Sequence, residues 1–266
     1  MRFHILSNSY LQEGIGFKRQ IVPYQLKLMS KMVRLLHSVE EGQNLKVGLV
    51  TIGQSPRTDV TPTIKETVGT EVEFLEKGAL DGLTKEEVAR LAPTAGDYVL
   101  VTRMKDGTSV KVARGHVFTR IQKCVKDLEE MGADLTLLLC TGEFPKIEAR
   151  KLLIMPDVLV PNVVWGILKR GKLGIVVPEK EQIPFLKRKW KKKGVSLVIT
   201  AANPYGEIRA LEEAGNFLAK GGVDLIVLDC IGFTPQAKEL FRRLTGKPVV
   251  LPQTILGRVL KELVST

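Results

Sequence analysis

A fifteen-residue block, residues 131–145 (MGADLTLLLCTGEFP), recurs about ninety residues later as residues 221–235 (GGVDLIVLDCIGFTP). Each copy reads as the end of a helix, a buried aliphatic strand, and a cysteine at the point where that strand leaves its sheet. In register, Gly132, Asp134, Leu135, Leu138, Cys140, Gly142 and Pro145 meet Gly222, Asp224, Leu225, Leu228, Cys230, Gly232 and Pro235. Common strand–helix packing accounts for the shared glycines and leucines. It does not account for the cysteines. Downstream, residues 158–170 match residues 249–261, pairing Pro161 with Pro252 and Gly166 with Gly257. A chain that uses one module twice is able to set two thiols across one cleft, an arrangement suited to removing a proton from one face of a carbon and returning it to the other.

The pattern around the repeat is that of alternating strands and helices. Short β-branched runs at residues 46–52 and 173–177 open the two halves, and further strands are expected at residues 71–75, 98–103, 134–139, 195–199, 224–228 and 248–251. Helices are expected near residues 58–68, 84–91, 115–131, 161–169, 179–192, 206–220, 235–244 and 254–264, with Thr84 and Glu87 at capping-box spacing. Residues 98–113, with Lys105, Asp106 and Gly107 at their centre, read as a hairpin inserted in the first half. The fold class is therefore α/β: two pseudo-symmetric parallel-sheet lobes with a cleft between them. Residues 1–45 form an extension, with one amphipathic helix over residues 27–39; residues 46–172 form lobe 1 and residues 173–266 lobe 2, whose C-terminal helix is free to cross back to lobe 1. Met29 and Met32 are compatible with a later start.

Composition excludes several classes. The 266 residues are 44% hydrophobic and 26% charged, enough to bury a sizeable core, and no long uncharged apolar run or signal-peptide core appears. The expectation is a cytoplasmic chain with no membrane association. Three cysteines argue for free thiols, and scattered His4, His37 and His116 give no metal pattern. The formal charge of +11 is densest at residues 187–193 (KRKWKKK), which reads as the solvated basic end of a helix. Nucleic acid is thus an unfavoured partner. A homo-oligomer is compatible with the sequence.

Cys140 and Cys230 are the candidate catalytic pair. Near neutral pH a thiol is mostly protonated, so it needs local help to act as an acid or base. The carboxyl ends of parallel strands, where helix N-termini present unpaired N–H groups, supply such help. Gly142 and Gly232 are expected to let backbone N–H groups approach a small carboxylate or phosphate ligand. The loop at residues 51–59 adds a glycine turn, Ser55 and Arg57 as anion binders, Thr141 adds a hydroxyl beside the first thiol, and Asn203 either caps a helix or lines the cleft. Asp229 is expected to point away from Cys230, and Cys124 to be a small core residue. Neither metal nor cofactor is expected.

From residue 46 onward, the segments TIGQSPR, LLLCTGEFP, VPNVV, LDCIGF and VLPQTILGRVLKEL resemble the AroM protein family. The wider pattern is similar to the aspartate/glutamate/hydantoin racemase superfamily, and Gly53-Gln54-Ser55-Pro56 resembles the Gly-Met-Ser-Pro loop of aspartate racemases. The resemblance implies two α/β lobes and cofactor-independent proton transfer by paired cysteines at their interface. Racemases of that type follow the two cysteines with Asn-Thr and Thr-His. Here Thr141-Gly142 and Ile231-Gly232 stand in those places, so an acidic amino acid is not implied as substrate. Three rivals stay open: nucleophilic use of one cysteine, a small-anion-binding or regulatory protein on the same scaffold, and nucleic-acid binding through residues 187–193.

Overall fold

A computed structural model describes residues 45–69 and 72–265; the amphipathic helix expected over residues 27–39 lies outside them. In the first half, the aliphatic run β1 (Lys46–Thr51) pairs in parallel with β2 (Glu73–Gly78) and with β5 (Leu135–Leu139). A short strand β6 (Leu152–Ile154) extends the sheet, giving the order β2-β1-β5-β6. The second half builds β7 (Gly171–Val177), β8 (Val195–Ala201), β9 (Leu225–Leu228) and β10 (Val249–Val250) in the order β10-β9-β7-β8, again all parallel. Both sheets therefore place their first strand between the second and the cysteine-bearing one. The fold is α/β, with two parallel sheets. Between β2 and the following long helix, β3 (Val99–Arg103) and β4 (Ser109–Ala113) form the inserted antiparallel hairpin.

Alternation along each strand decides which face meets which helix. In the first sheet, Val50 and Leu138 point to one face and pack against Ile121, Val125 and Leu128 of α3 (Arg114–Glu130). Leu49, Leu137 and Leu139 point to the other face, where they meet Ile64 and Val68 of α1 (Thr61–Val68). The short α2 (Lys85–Ala89) begins with the capping box of Thr84 and Glu87. In the second sheet, Val176, Ile226 and Leu228 pack on α6 (Ile208–Lys220) and α7 (Pro235–Thr245), whereas Ile175, Val177 and Val227 form a second layer with Leu186 and Trp190.

Two helices are exchanged between the halves. The helix after β6, α4 (Pro156–Ile167), sends Val160 and Val164 into the core of the second sheet. Its counterpart after β10, α8 (Pro252–Val264), sends Leu256 and Leu260 into the core of the first. Gly257 makes the latter approach close: a side chain there would collide with Thr67 of α1.

The exchange corrects one sequence pairing. Pro156, not Pro161, stands opposite Pro252: each is the first residue of the helix that follows the outer strand, a position where a proline's missing N–H costs nothing. Pro161 lies inside α4. The mismatch arises because β6 is only three residues long and half-buried, which hid the strand that sets the boundary.

Among the described residues no helix is long and apolar enough to cross a membrane. Leu260→Ala should leave a cavity where α8 docks on the first sheet and lower unfolding free energy by about 2–5 kcal/mol, measured by urea denaturation.

Candidate active site

Cys140 follows β5 directly and Cys230 stands two residues beyond β9, so both thiols sit at the carboxyl ends of their sheets. They line one small cavity of about 20 Å³, together with Thr141, Gly142, Asp229, Val177 and Pro178 after β7, and Tyr98, Leu100 and Val101 of the hairpin. Its remaining wall is Gln182 and Leu186, from the 3₁₀ turn Lys180–Gln182 and α5 (Ile183–Lys189). The volume is about that of one water molecule. Three contacts join the hairpin to this wall: Gln182 Nε2 donates to the Val99 carbonyl (3.1 Å), Lys111 Nζ pairs with Glu179 (2.9 Å) and Glu181 (3.1 Å), and the Tyr98 and Phe185 rings lie 4.8 Å apart.

The same backbone device serves both sulfurs. The Gly142 N–H donates to Cys140 Sγ at 3.3 Å and the Gly232 N–H to Cys230 Sγ at 3.4 Å. These N–H groups, expected to approach a ligand, are turned to the thiols. A side chain at Gly142 would press on the Leu100 methyl, and one at Gly232 would collide with the Tyr205 hydroxyl. The two tyrosines, one behind each cysteine loop, were not recognised as site residues from the sequence. Residue type alone gave no signal; only the strand-to-helix position of Tyr205 pointed there.

The loop after β1 is more self-contained than expected. The Ser55 hydroxyl donates to Asp81 Oδ2 and its N–H to Asp81 Oδ1, both at 2.7 Å, and Ser55 is not among the cavity-lining residues. The Ser55 hydroxyl, expected to bind a ligand, is thus satisfied locally by a half-buried carboxylate. Arg57 is only 2% exposed, and four of its N–H groups are engaged. Nε and Nη2 grip Asp59 in a fork (2.8 Å each), Nη1 donates to Thr51 Oγ1 (2.9 Å) and Nη2 to the Tyr205 hydroxyl (2.8 Å). Burial alone would pull the guanidinium down, but the Asp59 hydrogen bond and charge hold it above its ordinary range. Arg57 is thus a buried crosslink to Tyr205 instead of an open anion clamp. Asn203 closes a turn, its Oδ1 accepting the Tyr205 N–H (2.9 Å) while Nδ2 donates to Glu179 (3.1 Å). It positions Tyr205 and does not line the cavity.

The basic segment also departs from its expected role. Lys187 and Arg188 are exposed, but the Lys189 side chain is 3% exposed and paired with Asp229, itself 1% exposed. Lys189 Nζ donates to both Asp229 oxygens (2.8 and 2.9 Å) and to the Thr141 carbonyl (2.7 Å), and Trp190 Nε1 donates to Asp229 Oδ2 (2.7 Å). One ammonium therefore ties the residue before Cys230 to the residue after Cys140. Asp229 does line the cavity, although its carboxylate is turned to this network.

Burial pushes both thiols up, Cys140 to about 12 and Cys230 to about 11, with the glycine N–H bonds opposing the shift. Burial likewise raises Tyr98 and Tyr205. Cys124 lies in the core under α3. Among the described residues, no cluster of three or more His, Cys, Asp or Glu side chains is placed to hold a metal ion.

The AroM protein family model matches residues 47–264, nearly the whole of both sheets and their helices. The chain belongs to the AroM family. No curated protein sequence matches it. Three solved structures share its fold at low identity. The maleate isomerase Iso from Pseudomonas putida is 14% identical, with TM-score 0.52 over 83% of this chain and 93% of that one. Unliganded arylmalonate decarboxylase is 13% identical, with TM-score 0.50 over 84% and 93%. A variant of the Nocardia farcinica maleate cis-trans isomerase, described as having a covalently bound succinylcysteine intermediate, is 14% identical, with TM-score 0.53 over 83% and 93%. These likenesses show that the family member has the racemase-like α/β fold; the roles of its residues rest on its own geometry.

Two outcomes follow. Lys189→Met would strand the Asp229 carboxylate without its partner and should cost about 3–5 kcal/mol in urea unfolding, part of which a second change, Asp229→Asn, restores. Because the folded thiols stay protonated above the 9.0 of an unperturbed cysteine, their contribution is complete below that pH and is lost as pH rises towards 11–12. Melting temperature should fall over that window, and less steeply in a Cys140→Ser, Cys230→Ser double variant.

Proposed function

We propose that the chain is a cofactor-independent racemase or isomerase of a small carboxylate-bearing molecule, with Cys140 and Cys230 as its acid/base groups. The observation that carries this reading is that both thiols line one cavity at the carboxyl ends of two parallel sheets, each sulfur receiving an N–H from the glycine two residues on. In this reading the substrate carbon lies between the two sulfurs. Deprotonation by one thiolate gives an enolate-like charge, and the other thiol returns a proton to the opposite face. A positioned acid or base of this kind contributes on the order of 10²–10⁴-fold.

The hydroxyls of Thr141 and Tyr98 are the cavity groups suited to orienting the carboxylate. Arg57 acts at one remove, holding the Tyr205 hydroxyl against the Cys230 loop. Because the volume is about 20 Å³, a substrate larger than one water molecule needs the hairpin to part from the 3₁₀ turn and α5, where Lys111 pairs with Glu179 and Glu181. The names of the structural neighbours support small carboxylates as ligands, maleate and an arylmalonate among them.

One observation favours a second reading. The neighbour with a succinylcysteine intermediate is described as carrying substrate carbon on sulfur, which fits nucleophilic use of one of the two thiols here. A non-catalytic anion-binding protein is the third, favoured by the small volume and by the engagement of Arg57 with Asp59.

Solvent-deuterium incorporation separates the three. A panel of small carboxylates should contain one whose α-hydrogen exchanges, and Cys140→Ala or Cys230→Ala should each lower that rate by 10²-fold or more. Exchange unaltered in both variants would end the two-thiol reading; an adduct trapped on a single sulfur, seen by intact-mass measurement, would select the nucleophilic one. Binding without exchange would leave a ligand-binding protein.

A further inference from the structure

The two halves repeat their strand order, but not the charges at the amino ends of their sheets. In the first sheet the strands open on charges that have their opposites: Lys46 of β1 pairs with Glu73 of β2 (3.1 Å), and Lys151 before β6 pairs with Asp134 before β5 (3.4 Å). In the second sheet Lys169 and Arg170 lead into β7, Lys191, Lys192 and Lys193 lead into β8, and Lys220 ends α6. All six are exposed, and among the described residues no carboxylate stands within ion-pair distance of any of them. Asp224, the repeat partner of Asp134, stands before β9 and accepts the Lys172 N–H instead (2.8 Å).

The cations form one face although they come from separate segments. Gly171 N–H donates to the Gly194 carbonyl (3.1 Å), which brings the two lead-ins together, and the Arg170 side chain lies against Gly194. Lys169 Nζ donates to the Trp165 carbonyl (2.8 Å), and Lys192 Nζ stands 6.0 Å from the Trp165 ring. On the other side of β7, Lys172 Nζ donates to the Gly221 carbonyl beside Lys220 (3.3 Å). Helix C-termini favour nearby cations, but that does not account for the row. α3 ends at the matching place in the first half, and there Lys126 pairs with Glu130 and Arg150 with Glu129.

Two large apolar residues flank the cations. Ile167, the last residue of α4, is 63% exposed, and Phe217, in the last turn of α6, is 51% exposed. These helices cover opposite faces of the second sheet, so the row of charge runs between them. Lysines outnumber arginine five to one, which suits diffuse attraction to a charged plane better than the bidentate gripping of single phosphates. A nucleic-acid backbone would also leave Ile167 without an apolar partner.

We infer that this end of the second sheet is a docking face for an anionic lipid bilayer, its lysines meeting the headgroups and Ile167 and Phe217 entering the interface. The attachment is peripheral, and it departs from the absence of membrane association expected from the sequence. It is independent of the two-thiol reading, because the cavity lies at the opposite, carboxyl ends of the strands.

The test is cosedimentation of the full chain with vesicles of equal parts phosphatidylserine and phosphatidylcholine, against vesicles of phosphatidylcholine alone. Binding should require phosphatidylserine and weaken as salt rises. Each lysine lost from the face should cost about fivefold, so Lys191→Gln with Lys193→Gln should weaken binding on the order of 25-fold. Lys123→Gln with Lys126→Gln, which removes the same formal charge from α3, should leave it unchanged. Ile167→Ser should weaken the binding that survives at high salt, where apolar contact carries the larger share. No binding to the phosphatidylserine vesicles, equal losses in the two lysine pairs, or binding untouched by Ile167→Ser would overturn the inference. So would capture of a mixed-sequence DNA duplex by a chain that ignores the vesicles, which would give the face to nucleic acid.

Discussion

A single buried ammonium ties the two thiol loops together. Lys189 leaves the last turn of α5 and reaches across to Asp229 and to the Thr141 carbonyl, so the residue before Cys230 and the residue after Cys140 share one donor. Placing an ion pair where its side chains are 1–3% exposed carries a desolvation cost that an apolar pair would avoid. Its return is in specificity: a charge with this set of partners tolerates few other placements of the loops. Trp190, donating to the same carboxylate and packed edge-on to Trp165 of α4, anchors the network to a helix that belongs in sequence to the other half.

The helix exchange works at larger scale towards the same end. Because α4 covers the second sheet and α8 the first, separating the sheets would expose apolar faces on both, at about 25 cal/mol per Å² uncovered. The carboxyl ends of β5 and β9 are therefore held to a common centre by core packing, in which the hairpin takes part through Leu100 and Val112, and α5 and its C-cap through Leu186 and Trp190. The glycines keep the loops close to their neighbours: Gly142 lets Leu100 and Gly232 lets Tyr205 approach while their N–H groups face sulfur.

Much of this was legible before any coordinates. Period-two aliphatic runs ending at glycine, proline or cysteine gave the central strands, the Lys105-Asp106-Gly107 turn gave the hairpin, and Thr84 with Glu87 gave a helix start, because each is a local signal. What escaped was non-local. Lys189 looks like any residue of a basic run, and nothing in that run says that one of its side chains turns inward to an aspartate forty residues on. Ser55 and Arg57 have the chemistry of anion binders, yet Asp81 and Asp59 occupy them first. Asn203, read as a helix cap or a cleft residue, instead closes a turn onto the Tyr205 N–H. A carboxylate near in space but unmarked in sequence decides whether a donor is free, and sequence patterning does not report it.

The departure after the second cysteine has a structural cause. Racemases of the resembling type have a polar pair there, whereas this chain has Ile231, which is buried with Leu139, Leu256 and Leu260 in the core between the first sheet and α8. Its carbonyl is held by Gln253 at the head of the same helix. A threonine in that place would bury a hydroxyl among aliphatic side chains, where an unpaired polar group costs about 1–3 kcal/mol. Thr141, at the matching position, lines the cavity instead. The two halves thus keep one backbone design but divide its consequences: one cysteine loop faces the ligand space with a hydroxyl, and the other is committed to fastening the crossing helix. If the cavity holds a substrate as proposed, the hydroxyl-bearing residues lining it, Thr141 and Tyr98, come from the Cys140 side.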